Sequence, residues 1–156
     1  MVSIAPLERS FHIFYQLCSG SSEEMRKELC LPPSASEFAY LAQSQDTMLD
    51  GVDDADGFAR TLNAMHVIGL DDNQIESVLK CVSAILHLGN IKFETADNAT
   101  ADEAIICPDA SSTNSLRTAA ELLGTSSEAL QKALMSKIIT IAGEKIEKRF
   151  TVVESI

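Results

Sequence analysis

Apolar residues recur at three- and four-residue steps along much of this chain, and the strongest run lies between Leu70 and Phe93. Ile75, Val78, Leu79, Val82, Ile85 and Leu86 gather on one side of a helix at that spacing. Asp71 or Asp72 supplies an N-terminal cap and an acidic first turn that suits the helix dipole. Cys81, Ala84 and Leu88 widen the stripe, which predicts a helix buried over much of its girth. Gly89 and Asn90, which tolerate left-handed backbone, predict its end. Ile91–Phe93 then alternates as a short strand.

The same pattern predicts helices before and after. Pro6 suits a first turn, and Leu7 to Leu17 reads as a helix with Leu7, Phe11, Phe14, Tyr15 and Cys18 on its apolar side and Gly20 at its end. Ser21 or Ser22 caps a second helix that runs to about Cys30, where Pro32-Pro33 forbids continuation. A short helical turn over Ser36–Leu41 places Phe38 and Leu41 together. Residues 43–53 are polar and turn-rich, a loop. Asp53 or Asp54 caps a helix with Phe58, Leu62, Met65 and Ile68 inward, closed by Gly69, so close to the next helix that the two must be neighbours.

After Phe93, residues 94–103 are acidic and without period, an exposed loop. Ala104–Cys107 is a strand candidate to pair with Ile91–Phe93. Ser111 or Ser112 starts a helix with Leu116, Ala119, Ala120 and Leu123 inward and Gly124 as terminator. Ser126 or Ser127 starts another with Leu130, Ala133 and Leu134 on one side. Lys137–Ile141 and Lys145–Val153 read as two strands around Ala142-Gly143-Glu144, a hairpin. The fold class is mainly α, a helical unit with a few short β-strands and a C-terminal β-hairpin.

Composition narrows the function classes. The chain has 156 residues, the size of one domain or a piece of one, and 46 % hydrophobic residues suffice for a core. A net charge of −11 argues against nucleic acid as a partner, because displacing counterions needs a basic footprint. No apolar run is long enough for a transmembrane segment, and the start has no signal-peptide pattern, so a cytoplasmic location is expected. Cys18, Cys30, Cys81 and Cys107 share no metal-ligand spacing and are expected to be buried free thiols. Neither Gly-x-x-x-x-Gly-Lys-Ser/Thr nor Gly-x-Gly-x-x-Gly occurs. Asp54-Ala-Asp56-Gly57 resembles the start of a calcium loop, but Val52 and Asn63 stand where ligands belong, so a capped helix start is expected. His12, His66 and His87 are scattered, and His87 suits a hydrogen bond near its helix end. Glu8-Arg9 reads as a solvated pair or one side of a tertiary salt bridge. The one charge anomaly is the C-terminal end, where Lys132, Lys137, Lys145, Lys148 and Arg149 outnumber Glu144 and Glu147. It is an ordinary solvated hairpin or a docking surface for an acidic partner.

Several stretches together resemble the myosin head. Glu8-Arg-Ser-Phe-His-Ile-Phe-Tyr-Gln-Leu17 is similar to the family's Glu-Arg-Asn-Phe/Tyr-His-Ile-Phe-Tyr-Gln-Leu segment. Asp53–Met65 with Val67-Ile-Gly69, then Ala84-Ile-Leu-His-Leu-Gly-Asn-Ile-Lys-Phe93, Ala119–Gly124 and Ala133–Thr140, follow in the family's order. The likeness runs from Leu7 to Val153. Residues 1–6 form a non-matching edge and residues 154–156 a truncated one, which suggests a truncated gene model or a remnant.

The resemblance implies most of the upper 50-kilodalton subdomain, part of the P-loop NTPase motor fold without its central sheet. The parent activity it implies is ATP-driven movement on actin filaments, with ATP and Mg as cofactors of the complete motor. Those cofactors are held by a phosphate loop and two switches, Asn-x-x-Ser-Ser-Arg-Phe and Asp-x-x-Gly-Phe-Glu, that these residues do not include. Catalytic, cofactor and metal residues are therefore expected to be none, and the chain alone is expected to hydrolyse nothing. Implied partners are filamentous actin and the remainder of the head, with light chains only through other segments, at the cytoskeleton. By resemblance Lys137, Glu144, Lys145, Lys148 and Arg149 contact actin. Glu144 matches by position a site that is acidic or phosphorylatable in many myosins, and residues 94–103 look like a smaller actin-facing loop. Glu8 and Arg9 would relay the state of the first switch. The rival readings are a self-standing helical interaction module and a non-functional remnant without motor activity. Helix faces meant for other subdomains would leave the isolated chain sticky.

Overall fold

The computed structural model describes residues 8–44, 51–96, 103–141 and 144–155. The sequence-predicted loop centres at residues 45–50 and 97–102, the hairpin turn at Ala142-Gly143, and residues 1–7 with Leu7 and Pro6 lie outside them. The chain is mainly helical with short antiparallel strand pairs. It divides into two compact units, Met1–Gly89 and Asn90–Ile156.

The first unit contains α1 (His12–Gly20), α2 (Glu23–Glu28), a 3-10 turn at Ala35–Glu37, α3 (Ala39–Ala42), α4 (Asp54–Val67) and α5 (Asp72–Leu88). Several caps are those the sequence points to. Ser22 caps α2, Asp53 caps α4, and Asp71 forms a reciprocal capping box with Gln74 on α5. α1 starts later than its periodicity predicts, because residues 8–11 lie outside any helix and Phe11 is the N-cap residue. Phe11 is consequently 71 % exposed and leaves the apolar stripe, which is carried by Phe14, Tyr15, Leu17 and Cys18.

α1 packs along α4 where side chains are small. A Cβ on Gly20 would sit 2.5 Å from Phe58 Cβ, so only glycine lets the ring close on the end of α1. Gln16 and Thr61 hydrogen-bond across the same contact at 3.0 Å. Phe38, Leu41, Leu79 and Leu86 join Phe14, Tyr15, Leu17 and Phe58 in one core. α5 is covered on one side only. Ile75, Leu79, Ala84 and Leu86 are buried, whereas Val78, Cys81 and Ile85 are exposed, so the expectation of burial around its girth fails. Ile68 on the preceding segment is exposed too.

Gly69, with φ +97°, supplies the left-handed step between α4 and α5. Gly89 does not play that part at the end of α5. Its φ is −62°, and what requires glycine is the Tyr40 ring, 2.6 Å from where a Cβ would stand. His87 Nε2 lies 3.0 Å from the Cys30 carbonyl and its ring stands edge-on to Phe38, as a structural histidine. Burial lowers its pKa, and the bond to Cys30 opposes that. The thiols are not uniformly buried: Cys18 is buried and pushed up to about 11 by that burial, Cys107 is half-buried, and Cys30 and Cys81 are exposed.

The second unit holds β1 (Phe93–Thr95), β2 (Ala104–Ile106), α6 (Ala110–Leu122), α7 (Ser127–Met135), β3 (Ser136–Ile141), β4 (Glu144–Arg149) and α8 (Val152–Ser155). β1 and β2 pair antiparallel with Phe93 opposite Ile106, so the strand begins where the sequence reading ended it and Glu94 and Thr95 belong to it. α6 is capped by Asp109, whose carboxylate accepts from the Ser112 N–H at 2.7 Å. Ser112 is freed to lie fully buried and to accept from the Lys92 N–H at 3.1 Å. Leu116, Ala119 and Ala120 point inward as expected, but Leu123 is 41 % exposed. α7 is capped by Ser126 and half-buries Leu130 and Leu134, while Ala133 is exposed. Val152 and Val153 are helical rather than strand.

Candidate functional site

The charged C-terminal hairpin is built from strict alternation. Lys137 lies opposite Lys148, Ile138 opposite Glu147, Ile139 opposite Ile146, Thr140 opposite Lys145 and Ser136 opposite Arg149. Directly opposed residues share a face. One face therefore carries Ser136, Ile138, Thr140, Lys145, Glu147 and Arg149. The other carries Lys137, Ile139, Ile146, Lys148 and Glu144. The sequence-predicted contact residues are thus brought onto one hairpin but divided between its two faces.

Their electrostatic surroundings differ. On the first face Glu147 accepts from the Ser136 hydroxyl at 2.7 Å and lies 3.6 Å from Lys132 of α7. The hydroxyl first, then Lys132, hold its carboxyl below the usual range. A crevice of about 320 Å³ between α7 and this face is lined by Glu128, Gln131, Lys132, Met135, Ser136, Glu147 and Arg149. Among the described residues no ion pair involves Lys145 or Arg149.

On the second face two like charges stand directly opposite each other, an arrangement that repels. Each has a local remedy. Lys148 Nζ is 2.8 Å from Glu154 of α8, and Lys137 Nζ lies 5.5 Å from the centre of the Phe150 ring. Glu154 also accepts from the Thr151 N–H at 3.0 Å, closing the first turn of α8. Lys148 above all, and then Thr151, bring the Glu154 pKa down to about 2. Glu154 is not among the candidate residues that the sequence offers. The Thr-x-x-Glu spacing of Thr151 and Glu154 was the available signal of a capping box.

The second candidate, Glu8-Arg9, belongs to the first unit. Glu8 is exposed. Arg9 is a tertiary partner: Nη2 is 2.6 Å from Asp54 Oδ2, with the two side chains 3 % and 12 % exposed, and its guanidinium stacks 3.8 Å over the Tyr15 ring. The Tyr15 hydroxyl in turn accepts from the Ser10 N–H at 3.2 Å. Arg9 Nε and Nη1 are buried without a hydrogen-bond partner. The sequence offers Asp54 only as a helix cap, and nothing local in it pairs this residue with one 45 positions away.

Asp53, Asp54 and Asp56 are each committed elsewhere. Asp53 caps α4, Asp54 meets Arg9, and Asp56 lies 3.2 Å from Arg60. Among the described residues no group of acidic, histidine or cysteine side chains could hold a metal ion, and no helix is long and apolar enough to cross a membrane.

Comparison with known proteins matches the whole of residues 1–156 to the family model "Myosin head (motor domain)". Unconventional myosin-Ib of Homo sapiens is 36 % identical over 149 residues, covering 95 % of this chain and 13 % of that protein. Myosin-1 of Arabidopsis thaliana is 35 % identical over 156 residues, 100 % of this chain and 13 % of that protein. Myosin ID heavy chain of Dictyostelium discoideum is 41 % identical over 133 residues, 85 % of this chain and 12 % of that protein. The chain thus spans 13 % or less of the length of these curated relatives.

Proposed function

Because the chain belongs to the myosin head (motor domain) family, we propose that it contributes part of the filament-binding surface of an actin-based motor. The observation that carries this reading is the β3–β4 hairpin, which exposes Lys145, Lys148, Arg149 and Ile138 in a chain whose net charge is −11. A local basic surface in an acidic chain favours encounter with an acidic filament and weakens with salt.

ATP and Mg²⁺ serve the complete motor, and the residues present here do not fit them. The acidic side chains at the start of α4 are spent on a cap and two ion pairs, and no phosphate-cradling loop occurs in the sequence. Arg9 suits a relay. It ties the segment before α1 to the first turn of α4, so a nucleotide-dependent shift of that segment reaches α4 through a buried ion pair.

Co-sedimentation with filamentous actin tests the reading. The purified chain should pellet with filaments weakly and progressively less as salt rises. Reversing Lys145, Lys148 and Arg149 together to Glu should abolish it. Pelleting untouched by that reversal, or ATP turnover by the chain alone, would overturn the proposal.

A further inference from the structure

We propose that the hairpin docks through one face only, the face of Ile138, Lys145 and Arg149, and that Lys137 and Lys148 on the opposite face serve internal contacts and take no part in docking. The occupant is the acidic surface of the actin filament, so the inference rests on the reading above and sharpens it.

Charge separates the faces first. With Lys132 and Glu128 reaching in from α7, the docking face sets Lys132, Lys145 and Arg149 against Glu147 and Glu128. The opposite face sets Lys137 and Lys148 against Glu144 and Glu154, and is neutral. Only the first offers a net positive field to an acidic surface. Apolar exposure agrees. Ile138, midway along the docking face, is 65 % exposed, against 44 % for Ile146 on the other. Ile138 stands opposite Glu147 and diagonal to Lys145 and Arg149, an exposed branched side chain that gives an interface a desolvated centre with a charged rim.

Each face has an ion pair to a neighbouring helix, but on the first it takes up the hairpin's Glu147, whereas on the second it takes up the hairpin's own cation Lys148. Lys148 is held by Glu154, which simultaneously caps α8, and Lys137 rests near Phe150. Bringing Lys148 to a partner would break that pair and restore its repulsion with Lys137.

Two double variants remove the same charge from each face: Lys145→Gln with Arg149→Gln, and Lys137→Gln with Lys148→Gln. Steering by total charge alone makes their effects equal. One-faced docking makes the first lose about tenfold or more in actin affinity while the second stays within about twofold. Ile138→Ser, which changes no charge, should also lose affinity. Thermal melts and hairpin amide shifts establish that each variant is folded. Equal losses, or a larger loss from the Lys137/Lys148 pair, overturn the inference.

A parallel NMR titration with poly-L-glutamate separates this inference from the actin reading. Shifts confined to Ile138, Lys145 and Arg149 without actin binding would sink the filament reading and keep the face assignment. Shifts centred on Lys137 and Lys148 would sink the assignment whatever actin does. Binding to neither probe overturns both.

Discussion

The two units of this chain spend their apolar residues differently. The first buries Tyr15, Phe38, Phe58, Leu17, Leu29, Leu41, Leu79 and Leu86 almost completely. The second buries Ile91, Leu116 and three alanines, together with Ser112 and Ser115. Each large buried side chain stabilises by about 1.5–3 kcal/mol, and an alanine by far less. Their ion pairs follow suit. Arg9–Asp54 is enclosed at 3 % and 12 % exposure, while Lys148–Glu154 stands at 47 % and 36 %. One region is scaffold, held by aromatic packing and an enclosed charge pair. The other presents charge on a strand pair whose β4 is exposed along its whole length. The contrast shows why charges on the hairpin can change without disturbing the core.

The sharpest way to break this contrast is Arg9→Ala. Removing one partner of an enclosed pair strands the other, which costs about 3–5 kcal/mol. Urea unfolding of the chain should show a loss of that order. A loss no larger than a surface substitution would mean that water reaches Asp54 and that the first unit is no better sealed than the second. Gly20→Ala comes next. The added methyl meets Phe58 and should destabilise by about 1–3 kcal/mol, with α1 amides reporting the loss first.

The smallest effect belongs to the second unit and is read by acid titration. The Glu154 carboxyl titrates near about 2 when folded, below its ordinary value of 4.5. Its contribution is therefore complete above about pH 4.5 and is lost as pH falls towards about 2. The α8 and hairpin-base amides should move through that window in the native chain and not in Glu154→Gln, while the melting temperature at neutral pH barely changes. Movement of the same amides in the Gln variant would assign the transition to another group.

Much of this architecture was legible along the chain, because caps and turns depend on neighbours a few residues away. Ser22, Asp53, Asp71 and Ser126 bond to N–H groups two or three positions on, and Gly69 and Gly124 take positive φ where helices close. The family likeness was legible for a similar reason, since motifs are contiguous. Of the candidate site, the basic residues could be read but not their division between faces. That division follows from the register, in which Lys148 lies opposite Lys137 and Lys145 opposite Thr140.

Local sequence thus laid down which segments coil, where they stop, and which side chains lean the same way. How much of each apolar stripe is covered was settled by long-range packing. Val78, Cys81 and Ile85 share a helix with buried Leu79 and Leu86, yet they are exposed. Periodicity records a direction around a helix axis, whereas burial needs a neighbour to arrive there. The same holds for charge. Asp54 met Arg9 and Glu154 met Lys148 because folding brought them within bonding distance, and spacing along a chain carries no record of that.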